Sequence, residues 1–283
     1  MNPNPKTLLI GCGYIGLPLA LRLKEAGHEI TAWVNSAESA ESLAIHQFHH
    51  VIVGSVADLH LWDSVREEYD LAIHCASSGR GGESDYEQVF LKGVLMMNGR
   101  QPRARKLFVS STSVYRQLKG ETVTEKSEAE PNTATGRILR AAEKVALGAY
   151  VTVVRSSGIY GPKRGVLFER FRRGEAVIEG DGLRWINQIH QRDLVAALAH
   201  LIEAGTPGEI YNATDDTPVT YRDYYAWCSK FLSQPMPPHG PINAERKRGI
   251  TNKRVSNAKL RATGWAPIYP SFREGLTADH SPK

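Results

Sequence analysis

Cysteine is scarce in this sequence, and its scarcity excludes two ways of stabilising a fold. The three residues, Cys12, Cys75 and Cys228, are an odd number at wide spacing, which argues against a disulfide framework and against a zinc site. Ten histidines are present, but none stands at metal-ligand spacing with a supporting Cys, Asp or Glu. We therefore expect reduced, mostly buried thiols and no metal ion.

Long hydrophobic runs are also missing, which argues against a membrane-spanning protein. The most apolar stretch, Leu8 to Leu23, is interrupted by three glycines and a proline, and no small-residue cleavage site of a signal peptide follows it. The hydrophobic share of 41% and the charged share of 23% are ordinary for a globular protein. We expect a cytoplasmic protein whose chain is long enough to bury a full core.

A strong excess of one charge is absent as well. The net charge of +5 is modest for 283 residues, and the basic clusters Arg100 to Lys106 and Arg246 to Arg254 contain no interleaved aromatic platform. This pattern favours a solvated surface or, as an alternative, contacts of Lys253 and Arg254 to a phosphate-bearing small molecule. We predict a small-molecule substrate, a homodimer, and neither a nucleic-acid nor a membrane partner.

What the sequence does contain is a specific pattern from Lys6 to Leu23. The apolar run Thr7 to Ile10 predicts a strand, and a helix pattern rich in Leu and Ala follows. Between them, Gly11, Gly13 and Gly16 stand in G-x-G-x-x-G spacing. In a dinucleotide site these glycines permit the turn, the close approach of the pyrophosphate, and the packing of helix against strand. The alternative is an ordinary glycine-rich turn. On the dinucleotide interpretation, the loop contacts come from Gly11, Gly13, Tyr14, Ile15 and Gly16.

Strand and helix patterns alternate along the first half of the chain. This alternation predicts an α/β protein with a doubly wound parallel sheet, whose ligand binds at the carboxyl ends of the strands. An acidic residue after the second strand would favour NAD, and an arginine would favour NADP. Asn35 and Ser36 stand there instead, so both NAD and NADP remain open. We predict further cofactor contacts from small or polar strand ends: Asn35, Ser36, Ala76, Ser77, Ser110, Ser156 and Gly158.

Longer motifs resemble those of one known family. SSTSVY, Ser110 to Tyr115, resembles the S-S-x-x-V-Y run at the end of its fifth strand, and RSSGIYGP, Arg155 to Pro162, resembles its R-x-x-x-[VI]-Y-G-P. GCGYIG resembles its glycine motif, and Trp185 to Leu198 resembles a later strand, loop and helix. On these motifs the chain resembles the extended short-chain dehydrogenases/reductases of the NAD-dependent epimerase/dehydratase family.

The resemblance implies a Rossmann fold with a smaller, discontinuous substrate lobe. We predict a dinucleotide-binding domain at residues 4–165 plus 186–214, and a substrate-side lobe at residues 166–185 plus 215–283. The family's serine four residues before Tyr115 hydrogen-bonds the reacting carbonyl or hydroxyl. That role falls on Ser111, with Thr112 beside it.

The same resemblance shows that this chain lacks the acid/base pair of the family. The family uses a Tyr-x-x-x-Lys pair for proton transfer, but Thr135 stands at the tyrosine position and Leu139 at the lysine position. A threonine hydroxyl is far too weak an acid to replace a phenol, whose pKa near 10 can be lowered by an adjacent ammonium. The usual acid/base mechanism therefore cannot be transferred to this chain.

Two hypotheses of function follow. The first is an NAD(P)-dependent oxidoreductase or epimerase-like enzyme that acts on a carbonyl or hydroxyl substrate resembling a nucleotide sugar. The second is a non-catalytic NAD(P)-binding redox sensor or regulatory protein. We also expect Asp193 to cap the helix that it precedes, and Arg137 and Arg140 to face solvent or to hold a phosphate or carboxylate.

Overall fold

The computed structural model describes residues 4–65, 67–79, 81–243 and 250–280. The chain forms two compact units, each built from three separate stretches. The stretches of the first unit are Met1–Ser111, Ala134–Arg155 and Val195–Tyr211. Those of the second unit are Thr112–Thr133, Ser156–Leu194 and Asn212–Lys283. The assignment of a dinucleotide-binding domain and a substrate-side lobe stays a prediction from the sequence.

The strands include one large parallel sheet and several short pairs. In chain order they are β1 (Lys6–Ile10), β2 (Glu29–Val34), β3 (His50–Val53), β4 (Leu71–His74), β5 (Arg105–Ser111), β6 (Glu121–Val123), β7 (Thr152–Ser156), β8 (Gly158–Tyr160), β9 (Ile178–Glu179), β10 (Trp185–Ile186), β11 (Gln188–His190), β12 (Ile210–Ala213), β13 (Val219–Thr220), β14 (His239–Gly240) and β15 (Lys253–Val255). The seven-stranded sheet has the order β12-β7-β5-β4-β1-β2-β3. β1 pairs in parallel with both β2 and β4, so the strand order reverses at β1. The predicted doubly wound sheet is confirmed.

Helices connect these strands. They are α1 (Gly16–Glu25), α2 (Ala37–Leu43), α3 (Leu59–Ser64), α4 (Glu83–Tyr86), α5 (Gly93–Arg100), α6 (Ala134–Gly148), α7 (Val166–Arg172), α8 (Gln191–Ala204), α9 (Tyr221–Leu232), α10 (Ala258–Ala262) and α11 (Phe272–His280). A π-helix, Glu87–Lys92, joins α4 to α5, and a 3₁₀ turn, Thr112–Val114, follows β5. In the part of the chain that the structure describes, every helix is too short or too polar to cross a membrane.

β1 illustrates why the central strands form. Leu8, Leu9 and Ile10 are all buried, although they point alternately to opposite faces. A parallel sheet that is covered on both faces requires such a continuous apolar run, since neither face meets water. The same sequence signal that predicts the strand therefore also places it at the centre of the sheet.

The helix between β4 and β5 contains a feature that the sequence pattern did not predict. A regular helix is expected over Tyr86 to Met97, but the middle turns are π-helical. His74, the last residue of β4, bonds through its Nε2 to the carbonyl oxygen of Val89 at 2.9 Å, so it satisfies a backbone group within the π-helix. Gly93 lies against the same ring, because a Cβ there would meet His74 Nε2 at 2.6 Å.

A buried ion pair joins α6 to β7 in the first unit. Arg155 donates from Nε to Glu143 Oε1 at 2.9 Å and from a terminal nitrogen to Oε2 at 2.6 Å. Ser110 of β5 donates its hydroxyl to the same carboxylate at 2.6 Å. Arg140 adds a bond to Glu143 at 3.1 Å, so the expectation of a solvent-facing side chain is wrong for Arg140. Arg137 is exposed.

The second unit has its own aromatic core, which includes Tyr160, Phe168, Tyr224 and Phe272. Asp193 ties its C-terminal stretch to α8. The expectation that Asp193 caps α8 is wrong, because the helix already begins at Gln191.

The buried Asp193 carboxylate instead accepts the N–H groups of Ile268 at 2.5 Å and Tyr269 at 3.2 Å. Burial raises its pKa to about 6. By accepting these two backbone N–H groups, Asp193 holds a segment that is about 75 residues further along the chain.

We predict that Glu143→Gln lowers the free energy of unfolding by about 3–5 kcal/mol, because it leaves the Arg155 charge buried and uncompensated. The matched control is Glu128→Gln, which breaks the exposed Arg116–Glu128 pair and is expected to cost less than about 1 kcal/mol. Urea unfolding followed by circular dichroism measures both. Equal losses in the two variants would contradict the assigned importance of the buried pair.

We predict that the buried His74 lowers the stability of the folded protein in acid. Burial lowers its pKa to about 4, so the folded state resists protonation while the unfolded chain binds a proton near pH 6.5. The stability contribution is complete above the unfolded pKa and is lost as pH falls toward the folded one, by about 3 kcal/mol in all. His74→Gln keeps a donor for Val89 and removes this loss. Urea unfolding of both proteins from about pH 7 to about pH 4 checks the difference; parallel curves would refute it.

Candidate functional site

The glycine loop, residues 11–16, lies directly after β1, where the strand order of the sheet reverses. The N–H groups of Gly11 and Cys12 donate to the carbonyl oxygen of Trp33 at 2.9 and 3.1 Å. Gly11 has a φ of 89°, and a Cβ there would strike the backbone of Ala76 and approach the carbonyl carbon of Cys75 to 2.8 Å. Only glycine permits this turn beside the end of β4.

The other two glycines of the loop have opposite surroundings. A Cβ on Gly16 would strike the carbonyl oxygen of Gly11 and come within 2.7 Å of Leu9 Cδ2, whereas a Cβ on Gly13 would meet nothing within 4 Å. The loop thus has no space for side chains at Gly11 and Gly16, where it faces the protein, and has free space beside Gly13. We call these positions closed and open, respectively. α1 begins at Gly16 with no acidic residue in its first turn, which favours an anion at its N-terminus. These residues fit a dinucleotide pyrophosphate.

The cysteines beside the loop are not suited to nucleophilic chemistry. Cys12 is buried, and all three cysteines are free thiols. Burial raises the pKa of both Cys12 and Cys75 to about 12, and the thiolate is the reactive form. Among the described residues, His, Cys, Asp and Glu form no cluster that could hold a metal ion.

The residues predicted near the ribose follow β2. Asn35 is exposed. Ser36 is the N-cap of α2, where its hydroxyl oxygen accepts the N–H of Ser39 at 3.3 Å. Ser77, after β4, accepts the N–H of Gly79 at 3.2 Å. These side chains take part in local turns, and their contacts to a cofactor remain predictions.

The SSTSVY run spans the end of β5 and the 3₁₀ turn after it. Ser110 gives its proton to Glu143, so its hydroxyl can offer a ligand only its lone pairs. Ser111 is half-buried at the last position of β5, and Thr112 is buried at the first position of the turn. Their catalytic roles remain predictions.

The RSSGIYGP motif continues from β7 into β8 in the second unit. The Ser156 hydroxyl donates to the carbonyl oxygen of Ser157 at 3.1 Å. The N–H of Gly158 donates to the carbonyl oxygen of Asn187 at 3.0 Å, and a Cβ on Gly158 would lie 3.1 Å from the same oxygen. The glycine thus permits a close pairing with the chain that leads into β11.

The positions of the missing acid/base pair belong to one buried face of α6, which we call the buried stripe. Thr135, Leu139 and Glu143 are spaced four residues apart, so they lie on one face of the helix, and all three are buried. The stripe therefore carries a hydroxyl, an apolar side chain and a carboxylate that is paired with Arg155. It offers neither a phenol nor an ammonium.

Two tyrosines of the motifs are held by the core of the second unit. The Tyr115 hydroxyl lies 2.9 Å from the carbonyl oxygen of Thr124 and 3.0 Å from Asn212 Oδ1. Burial and, next, the Asp215 carboxylate raise the pKa of Tyr160 far above its ordinary value. Both phenols pack as structural groups and do not replace the missing tyrosine.

The sequence interpretation considered Lys253 only as a surface contact for phosphate, but this lysine is buried. It is 5% exposed, and burial lowers its pKa to about 8. Val255 is buried as well, whereas Arg254 between them is exposed. This period-2 alternation along Lys253–Val255 was the signal that could have indicated an inward-facing lysine.

A parallel α/β sheet with a glycine loop at the point of strand-order reversal defines a dinucleotide-binding protein of the Rossmann class. The family model described as "NAD dependent epimerase/dehydratase family" matches residues 8–214. The chain belongs to this family. The resemblance inferred from its motifs is thereby confirmed.

Individual relatives agree with this assignment. Protein YeeZ of Escherichia coli (strain K12) is 26% identical over 262 residues, which cover 89% of this chain and 93% of that protein. Human dTDP-D-glucose 4,6-dehydratase is 26% identical over 272 residues, covering 85% and 77%. The crystal structure of dTDP-glucose 4,6-dehydratase from Bacillus anthracis in complex with NAD has a TM-score of 0.80 at 19% identity and covers 97% of this chain and 95% of that one. This last likeness shows a shared fold.

We predict that Gly13→Ala and Gly16→Ala fail in different ways. Gly13→Ala has room for its methyl group, so its stability should stay within about 0.5 kcal/mol while its affinity for NADH falls about tenfold or more, a loss of about 1.4 kcal/mol. Gly16→Ala should be destabilised by about 1–3 kcal/mol through overpacking.

The control for both variants is Gly148→Ala, where a Cβ also meets nothing within 4 Å. Thermal unfolding and NADH fluorescence measure the two properties separately. A Gly13→Ala protein that binds NADH as well as the wild type would contradict the prediction that the cofactor occupies the space beside Gly13.

Proposed function

We propose that this protein is an NAD(P)-dependent enzyme that acts on a carbonyl or hydroxyl group of a nucleotide-sugar-like substrate. The observation that carries the proposal is the glycine loop, which is closed at Gly11 and Gly16 and open at Gly13. Family membership and the dehydratase relatives, whose names specify a dTDP-sugar, support the substrate class.

In this proposal, the pyrophosphate lies at the glycine loop and the N-terminus of α1, with Tyr14 and Ile15 beside it. Asn35 and Ser36 contact the adenosine ribose, and Ala76 and Ser77 flank the cofactor. Ser110, Ser156 and Gly158 complete the predicted contacts. The bound cofactor would supply or accept the hydride at the substrate carbon.

The substrate oxygen is positioned by Ser111, with Thr112 beside it. Thr135 stands at the tyrosine position of the family, but a threonine hydroxyl is a far weaker acid than a phenol and is therefore a poor proton donor. A proton-exchanging group must therefore come from another part of the chain if the protein catalyses the reaction.

The second candidate is a non-catalytic NAD(P)-binding sensor or regulatory protein. The observation that favours it is the buried stripe on α6, where Leu139 replaces the lysine and Thr135 the tyrosine. A sensor needs the cofactor site but no acid/base pair. A homodimer and a cytoplasmic location remain predictions from the sequence for both candidates.

We predict that the purified protein binds NADH or NADPH, which energy transfer from tryptophan to the reduced nicotinamide would report. Each holoprotein is then incubated with dTDP-glucose or UDP-glucose, and product formation is followed by chromatography. Turnover supports the enzyme, and binding without turnover of either sugar contradicts the nucleotide-sugar assignment and favours the sensor. Failure to bind either reduced cofactor would refute both candidates.

A further inference from the structure

Arg254 is an exposed arginine of the second unit whose side chain is held in one position. Its Nε donates to the carbonyl oxygen of Gly120 at 3.0 Å, and its guanidinium carbon lies 5.3 Å from the centre of the Trp185 ring. Fixing a long charged side chain costs conformational entropy. An exposed arginine that is already fixed has therefore met part of the cost of binding a ligand.

The backbone on both sides of Arg254 is held by one side chain of the same unit. Asn187 donates from its Nδ2 to the carbonyl oxygen of Lys253 at 2.9 Å. Its Oδ1 accepts the N–H of Val255 at 2.7 Å. Both the backbone and the side chain of Arg254 are thus oriented before any ligand arrives.

Two further hydrogen-bond donors lie beside Gly120. A Cβ on this glycine would lie 3.3 Å from the indole nitrogen of Trp185 and 3.8 Å from Nδ2 of Asn252. The Oδ1 of Asn252 accepts the backbone N–H of Trp185 at 3.1 Å, so the amide nitrogen is the end that faces Gly120. Gly120 has a φ of 74°, and its lack of a side chain leaves both donors uncovered. We call Gly120, Trp185, Asn252 and Arg254 the Gly120 site.

The positive charge of the Gly120 site is not neutralised by a neighbouring acid. Within the part of the chain that the structure describes, Arg254 forms no ion pair, and neither its terminal nitrogens nor the indole nitrogen of Trp185 has a hydrogen-bond partner. Glu121 follows Gly120 in the chain, but its carboxylate accepts the backbone N–H of Lys119 at 2.8 Å. The site therefore presents several N–H groups and one uncompensated cation.

This set of donors suits a phosphoryl group better than a carboxylate. The planar guanidinium can give two parallel hydrogen bonds to an oxyanion of either kind. A carboxylate has two oxygens, which the guanidinium alone would occupy, whereas a phosphoryl group has three acceptor oxygens. The third oxygen can accept from the Trp185 indole or the Asn252 amide.

We propose that the Gly120 site is an anion site that binds a phosphoryl group of a small molecule. All four of its residues belong to the second unit, and the proposed function uses none of them. The phosphoryl group has two sources. It belongs to the diphosphate of a nucleotide sugar, or to a free phosphate or pyrophosphate, which presents the same oxygens.

The competing explanation is that Arg254 only joins β15 to the segment around Gly120. Arg254→Lys keeps the charge and loses the planar pair of donors, and Arg254→Gln removes the charge. A joining role changes stability in both variants and gives no response to anions. The matched control is Arg173→Gln, which removes another exposed arginine of the second unit, one that is paired with Glu175 at 3.2 Å.

The test observes Trp185 directly. The protein, which has five tryptophans, is labelled with fluorotryptophan, and the Trp185 resonance in the fluorine NMR spectrum is identified from its loss in Trp185→Phe. The labelled protein is saturated with NADH, which fills the proposed cofactor site. It is then titrated separately with pyrophosphate, phosphate, dTDP-glucose and acetate.

We expect a saturable shift of the Trp185 resonance with a phosphoryl ligand, at a Kd of about 1 mM or lower, that weakens as salt is raised. The resonance of Trp227, which packs against the aromatic core of the same unit, should not move. Arg254→Lys should weaken binding about tenfold or more, Arg254→Gln should abolish it, and Arg173→Gln should bind as the wild type.

Three results would overturn the proposal: no saturable shift with any phosphoryl ligand, an equal response to acetate, or unchanged affinity in Arg254→Gln. The ligands also separate the two sources. Binding of dTDP-glucose but not of pyrophosphate supports the nucleotide sugar, and binding of pyrophosphate with equal or higher affinity supports a free phosphate ligand. A protein that fails to bind NADH is titrated alone; the proposed function then fails, while the response of Trp185 still decides the Gly120 site.

Discussion

The carboxylate of Glu143 is the centre on which the first unit depends. It accepts two bonds from Arg155, one from Arg140 and one from Ser110, so it joins α6, β7 and β5 through side chains alone. Two charges withdrawn from water are tolerated only when such bonds satisfy them. Because this interaction fixes the rotation of α6, Thr135 and Leu139 are held on its buried face, and the proton chemistry of the family cannot be restored there by a small shift.

The shape of the glycine loop and the acidity of the buried side chains have separate physical origins. The glycine loop depends on steric limits, since Gly11 and Gly16 have no space for a side chain while Gly13 has space on its open side. Acidity depends on solvation, because burial raises the pKa of the Cys12 and Cys75 thiols to about 12 and lowers the pKa of the Lys253 ammonium to about 8.

The sequence could predict those parts of the fold whose determinants are local. β1, the glycine loop and α1 follow one another within about 20 residues, and each has its own pattern. The contacts of Glu143 and Asp193 could not be predicted, because they join residues that are distant in the chain. The π-helix also has no hydrophobic pattern of its own, and it becomes recognisable only once His74 is seen to bond the carbonyl of Val89.

The division of each unit into three stretches has a consequence for synthesis on the ribosome. The first unit includes Val195–Tyr211, and β12, which begins at Ile210, is the edge strand of its sheet. The first two stretches of the second unit, which end at Leu194, have by then been translated completely. Until this late segment emerges, β7 has β5 on one side and an open edge on the other, and exposed strand edges favour aggregation. Chaperone demand during translation should therefore be concentrated before β12 is made.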